Sequence, residues 1–90
     1  MQEIECNIKG RVQVVMFRDF ATRKARKFGL RGYVKNLANK SVHVVAQGEK
    51  TKLENYIKLL KKGSLFSRVD SVQVLWREPN SLFESFSIMY

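Results

Sequence analysis

At 90 residues the chain has room for one domain with a modest core, and a hydrophobic content of 44% with a single proline excludes a disordered or low-complexity chain. No apolar run approaches the ~20 residues that cross a bilayer as a helix, so no transmembrane helix is expected. The net charge of +9 is concentrated, with ten Lys or Arg and one acid, Asp19, between residues 9 and 40, a field that attracts anions.

Residues 2–9 alternate, with Ile4, Cys6 and Ile8 on one side and Glu3, Glu5, Asn7 and Lys9 on the other, which predicts a half-buried strand. Cys6 reads as a small buried hydrophobe. It is the only cysteine, so no internal disulfide forms, and a reducing, cytoplasmic location is expected. The start, Met1-Gln2-Glu3-Ile4-Glu5, is acidic and alternating, unlike a signal peptide. Residues 10–16 read as a loop. A helix follows over about 17–28, its core stripe formed by Phe17, Phe20, Ala21, Ala25 and Phe28, with Lys24 snorkelling beside it and Gly29 ending it. Leu30–Asn36 and Ser41–Gln47 read as a hairpin, with Val42, Val44 and Ala46 on one face and His43 on the other.

After Gly48, a second helix is expected over about 50–62, with Leu53, Tyr56, Ile57 and Leu60 inward and Gly63 at its end. Val69–Trp76 reads as a fourth strand with Val72, Val74 and Trp76 on one face; Pro79-Asn80-Ser81 marks a turn, and Phe86 and Ile88 alternate in a short last strand. The order is βαββαβ with an extra C-terminal strand. This predicts one α+β domain over residues 1–90: a ferredoxin-like sandwich, two helices on one face of an antiparallel sheet.

The chemistry concentrates at Gly10-Arg11-Val12-Gln13-Val14-Val15-Met16-Phe17-Arg18. A strand-to-helix loop presents unpaired N–H groups beside the positive end of a helix dipole, an arrangement that holds anions. Arg18 in the first helical turn opposes that dipole at a cost of roughly 0.3–1 kcal/mol, and an anion held between loop and guanidinium would reverse the sign. No Ser-His-Asp or Cys-His arrangement and no carboxylate cluster is evident, so neither a covalent nucleophile nor a metal or organic cofactor is expected.

This stretch resembles the acylphosphatase loop Gly-Arg-Val-Gln-Gly-Val-x-Phe-Arg, matching at Gly10, Arg11, Val12, Gln13, Val15, Phe17 and Arg18 and departing at Val14. A second family motif, Gly-aromatic-Val-Lys-Asn-x-x-Asp-Gly-Ser-Val, is similar to Gly32-Tyr33-Val34-Lys35-Asn36 through Ser41-Val42, with departures at Asn39 and Lys40. The resemblance covers nearly the whole chain. It implies hydrolysis of a carboxyl–phosphate anhydride to carboxylate and inorganic phosphate. Backbone N–H groups of Arg11, Val12, Gln13, Val14, Val15 and Met16 would wrap the phosphate, Arg18 would anchor it, and Asn36 would hold the attacking water. For Arg11 and Gln13 the backbone is expected to matter more than the side chain.

Val14 replaces a glycine. A loop needing positive φ there would strain it by about 1–2 kcal/mol, whereas one needing only close approach would accommodate it. Lys40 also replaces a glycine, and Asn39 is a candidate to take the left-handed turn beside it. The expected partner is a small acyl phosphate, with inorganic phosphate or sulfate able to occupy the same site. No membrane is expected as a partner, nucleic acid is disfavoured, and the chain is expected to be monomeric. Three alternatives stay open: a catalytically impaired phosphate-binding or interaction domain, a domain of a larger carbamoyl-transferring protein, and, ranked lower, a basic RNA-binding module echoed faintly by Arg31-Gly32-Tyr33.

Overall fold

The computed structural model describes residues 1–14 and 16–90. Its elements run β1 (Gln2–Arg11), α1 (Phe17–Lys27), β2 (Arg31–Asn36), β3 (Val42–Gly48), α2 (Lys50–Lys62), β4 (Arg68–Arg77) and β5 (Phe86–Met89). The sheet order is β4-β1-β3-β2-β5. The first four strands pair antiparallel, and β5 adds to the edge parallel to β2, placing Phe86 opposite Gly32 and Ile88 opposite Val34. The ferredoxin-like plan therefore carries a mixed fifth strand, a direction that residue alternation alone cannot specify. β1 runs two residues further than the alternation predicts, because a bulge between Lys9 and Gly10 carries the pairing on to Arg11 opposite Arg68. Gly10 is required there: at φ +132°, an added Cβ would lie 2.1 Å from the Arg68 carbonyl oxygen.

One face of the sheet supplies Ile4, Cys6, Ile8, Val34, Val42, Val44 and Ala46 to the core, and the helices cover it with Phe17, Ala21, Ala25, Leu53, Tyr56 and Leu60. Each large apolar side chain so buried contributes about 1.5–3 kcal/mol relative to exposure. The two helices are tied by the Tyr56 hydroxyl, which donates to the Ala21 carbonyl over 2.9 Å. α1 ends in a Schellman motif: Gly29 is left-handed at φ +68°, its N–H reaches the Arg26 carbonyl, and the Leu30 N–H reaches that of Ala25. Phe20 and Phe28, expected in the helix stripe, are half-buried and pack at its margin. Val72 and Val74 likewise pack on the core from edge strand β4, while Trp76 at its far end is 38% exposed and outside the core cluster. No described helix is long and apolar enough to cross a membrane.

The connection from β4 to β5 is held against the other face of the sheet by buried polar groups. Gln47 Nε2 donates to Glu3 Oε1 over 2.7 Å and to the Ser81 carbonyl over 2.6 Å, and its Oε1 accepts the Phe83 N–H over 3.0 Å. Arg77 closes the cluster by pairing with Glu3 and Glu5. Tyr33 packs between His43 and Phe83 on this face, so its ring is already engaged by protein.

Candidate active site

Strand directions bring the two sequence motifs together. β1 and β2 are both antiparallel to β3, so both end at the same edge of the sheet, as does β5, which is parallel to β2. The loop leaving β1, Asn36 at the end of β2, Ile88 in β5 and Tyr90 just beyond it meet there around an open cavity of about 430 Å³, walled also by Gln13, Val14, Met16, Arg18 and Asp19. Of the expected site residues, Gln13, Val14, Met16, Arg18 and Asn36 thus share one cavity. Arg11 lies in β1, exposed and paired with Arg68, and the Val12 side chain is fully buried in the core. Val15 lies outside the described residues.

The helix start is unusual. Met16 is the N-cap of α1 and is left-handed at φ 78°, ψ −2°, with no side-chain cap. A left-handed residue costs a methionine about 1–2 kcal/mol. With no side-chain cap, it opens α1 with first-turn amides beside the positive end of the helix dipole, the kind of helix start that receives anions. The turn is closed behind by the Phe17 N–H on the Val14 carbonyl over 3.2 Å, and the helix opens with the Phe20 N–H on the Met16 carbonyl over 2.8 Å. Among the described residues, positive φ outside glycine occurs at Met16 and Lys40 and not at Val14. Val14 therefore occupies the glycine position of the motif without that strain, its side chain half-buried against the core.

Arg18 stands in the first turn of α1. Its guanidinium lies 4.9 Å from the centre of the Tyr90 ring, over the face. No carboxylate lies within ion-pair distance of Arg18 among the described residues; its neighbour Asp19 is bound to Arg23 over 2.8 Å. The Oδ1 of Asn36 is buried with no hydrogen-bond donor among the described residues. The cavity thus offers a cation without a counter-ion and an acceptor without a donor. Together these suit an anion and a water or hydroxyl.

Gln13 does more than expected. Its Nε2 donates to the Leu37 carbonyl over 2.7 Å and to the Ser41 carbonyl over 2.8 Å, tying the loop to the β2–β3 turn that follows Asn36. The left-handed residue of that turn is Lys40, at φ 71°, and not Asn39. Asn39 uses its side chain instead: Oδ1 accepts the Ser41 N–H over 3.1 Å and the Ser41 hydroxyl over 2.5 Å. An Asn whose carbonyl closes this small ring is held out of the left-handed region, which passes the strained position to Lys40. His43 is half-buried on the outer sheet face, away from the cavity, and burial lowers its pKa from the ordinary 6.5. Cys6 is fully buried, and desolvation pushes its thiol up to about 12, as its inward position predicts.

A family model described as Acylphosphatase matches residues 4–88. The acylphosphatase of Thermus thermophilus is 44% identical over 82 residues, spanning 91% of this chain and 93% of its own. The crystal structure of acylphosphatase from Bacillus subtilis superposes with a TM-score of 0.97 at 34% identity, covering 100% of both chains. The crystal structure of T. kodakarensis HypF is also similar, with a TM-score of 0.86 and 32% identity over 99% of this chain, but the match is 12% of that larger protein. With both motifs gathered at one cavity and the likeness running across the full length, this chain belongs to the acylphosphatase family of hydrolases.

Proposed function

We propose that residues 1–90 act as one catalytic unit, a monomer that hydrolyses a small acyl phosphate to carboxylate and inorganic phosphate. The observation that carries this reading is that, among the described residues, Arg18 has no carboxylate partner and the buried Oδ1 of Asn36 no donor, and both line one cavity at a helix N-terminus. The amides around Met16 and the first turn of α1 receive the phosphoryl oxygens, and Arg18 grips two of them through its planar fork. Asn36 Oδ1 accepts a hydrogen from water and holds its oxygen in line with the bond to be broken. The water oxygen bonds to phosphorus as the phosphorus–oxygen bond to the acyl group breaks. The acyl dianion and water become a carboxylate and dihydrogen phosphate, so the water's protons remain on the phosphate. The carboxylate is a good leaving group, which leaves the protein to supply position and charge rather than a nucleophile.

Hydrolysis of acetyl or benzoyl phosphate by the natural chain, Arg18→Ala and Asn36→Ala tests this. Each variant is expected to lose on the order of 10²-fold or more in kcat/KM. Inorganic phosphate is expected to compete with substrate in the natural chain and to bind Arg18→Ala more weakly. Neither substitution is expected to change thermal stability much, since Arg18→Ala removes an unfavourably placed cation along with its contact to the Tyr90 ring, and Asn36→Ala removes a buried oxygen with no donor among the described residues. Binding of phosphate without turnover by the natural chain would shift the reading to a phosphate-binding domain.

A further inference from the structure

A second cavity adjoins the first. It is an apolar groove of about 290 Å³ between α1 and the 63–67 loop, walled by Met16, Phe20, Leu65 and Phe66, with Arg23 and Lys24 at its rim. Met16 lines both cavities, so the groove continues the phosphate site beyond the residue whose backbone shapes it. Leu65 and Phe66 are 88% and 70% exposed, a poor use of apolar side chains unless something covers them. They are also held in place. The Ser67 hydroxyl accepts the Ser64 N–H over 2.8 Å and donates to the Ser64 carbonyl over 3.0 Å, and the Ser67 N–H reaches the same carbonyl over 3.1 Å. The wall is therefore a hydrogen-bonded turn at the sheet edge where β1 and β2 end, since β4 starts there.

We infer that this groove receives the acyl group of the substrate, and that the site favours aromatic or extended aliphatic acyl phosphates over acetyl phosphate. The inference rests on the hydrolytic reading above and on the geometry of in-line displacement. The attacking water and the leaving carboxylate must lie on opposite sides of phosphorus. Asn36 lines the first cavity only, and the groove opens on the other side of Met16. A phosphate seated between them directs its acyl oxygen toward the groove. The volume suits a phenyl ring or a chain of several methylenes, and Met16 and Phe66 offer the soft and flat surfaces that such groups contact.

The test compares kcat/KM for benzoyl and acetyl phosphate in the natural chain and in the double variant Leu65→Ser, Phe66→Ser. Both substituted side chains are exposed, so the variant is expected to fold, which circular dichroism checks. The natural chain is expected to prefer benzoyl phosphate by on the order of tenfold or more, and the variant to lose most of that ratio. Phenyl-bearing benzylphosphonate, but not methylphosphonate, is expected to shift the amide NMR signals of residues 64–67. A benzoyl-to-acetyl ratio unmoved by the double substitution, with both substrates turned over, overturns the acyl groove and leaves the hydrolytic reading standing. Turnover of neither substrate overturns that reading, and the groove assignment with it.

Discussion

Replacing Gln13 tests whether the loop and Asn36 are aligned by one side chain. Gln13→Ala removes two hydrogen bonds, to the carbonyls of Leu37 and Ser41. Neither carbonyl is orphaned, because Leu37 still accepts from the Lys40 N–H and Ser41 from the Leu37 N–H. The loss is then that of ordinary bonds at a partly exposed position, about 1–2 kcal/mol in total, and no desolvation penalty adds to it. For a domain of this size each kcal/mol lowers Tm by roughly 4–8 °C. Gln13→Glu is expected to be worse than alanine, since a carboxylate has no hydrogen to give and would face two carbonyl oxygens. The functional effect is expected to exceed the stability effect. A loop released from the β2–β3 turn can shift against Asn36, and a displacement of ~1 Å can cost on the order of 10²-fold in rate. Thermal melts by circular dichroism and ultraviolet-monitored hydrolysis of benzoyl phosphate measure the two effects. A Gln13→Ala protein with unchanged Tm and kcat, or a Glu variant better than Ala, would refute the alignment argument.

Lys40→Gly is expected to stabilise the fold by about 1 kcal/mol, because glycine takes the left-handed turn without the Cβ penalty; a Tm rise of roughly 4–8 °C with unchanged kcat checks it. His43 has its pKa lowered by burial, so the folded state binds fewer protons than the unfolded chain as pH falls through 6.5. Its contribution to stability is therefore present above that pH and lost below it, and His43→Gln is expected to flatten denaturant midpoints measured across pH 5–7.5 relative to the natural chain. Cys6, buried and with its thiol pushed up to about 12, is expected to resist iodoacetamide at neutral pH in the folded protein and to react once urea unfolds it, as mass spectrometry would show.

Much of this was legible because it depended on local pattern. The α2 boundaries, its four inward residues and the glycine ends of both helices follow from 3.6-residue spacing and from the backbone freedom of Gly29 and Gly63. The inward strand residues Ile4, Cys6, Ile8, Val42, Val44 and Ala46 follow from alternation. What escaped depended on contacts distant in sequence. The partners of Gln13 are main-chain carbonyls 24 and 28 residues away, and every residue has a carbonyl, so no side-chain pattern marks them. β5 runs parallel to β2 because β4 finishes at the end of the sheet where β2 begins and the 78–85 connection crosses over to the far edge, where Gln47 holds it through Ser81 and Phe83; none of this shows in strand alternation. The apolar groove was hidden for the same reason: Met16 and Phe20 are neighbours by helical spacing, but Leu65 and Phe66 come from a loop far along the chain, and only the sheet topology brings them to that helix.

The two glycine departures illustrate how strain is placed. The structure puts positive φ at Met16, two residues after Val14, and at Lys40, which itself replaces a glycine. Each is a non-glycine residue in a conformation costing about 1–2 kcal/mol, yet the two positions differ in what the distortion accomplishes. At Lys40 it closes a hairpin that glycine would close as well, so the strain has no evident return. At Met16 it opens α1 while the side chain lines both the Arg18–Asn36 cavity and the neighbouring groove, a lining that glycine would not provide. Loss of the motif glycine at position 14 therefore imposes no left-handed strain on Val14 itself, because the left-handed conformation falls on Met16.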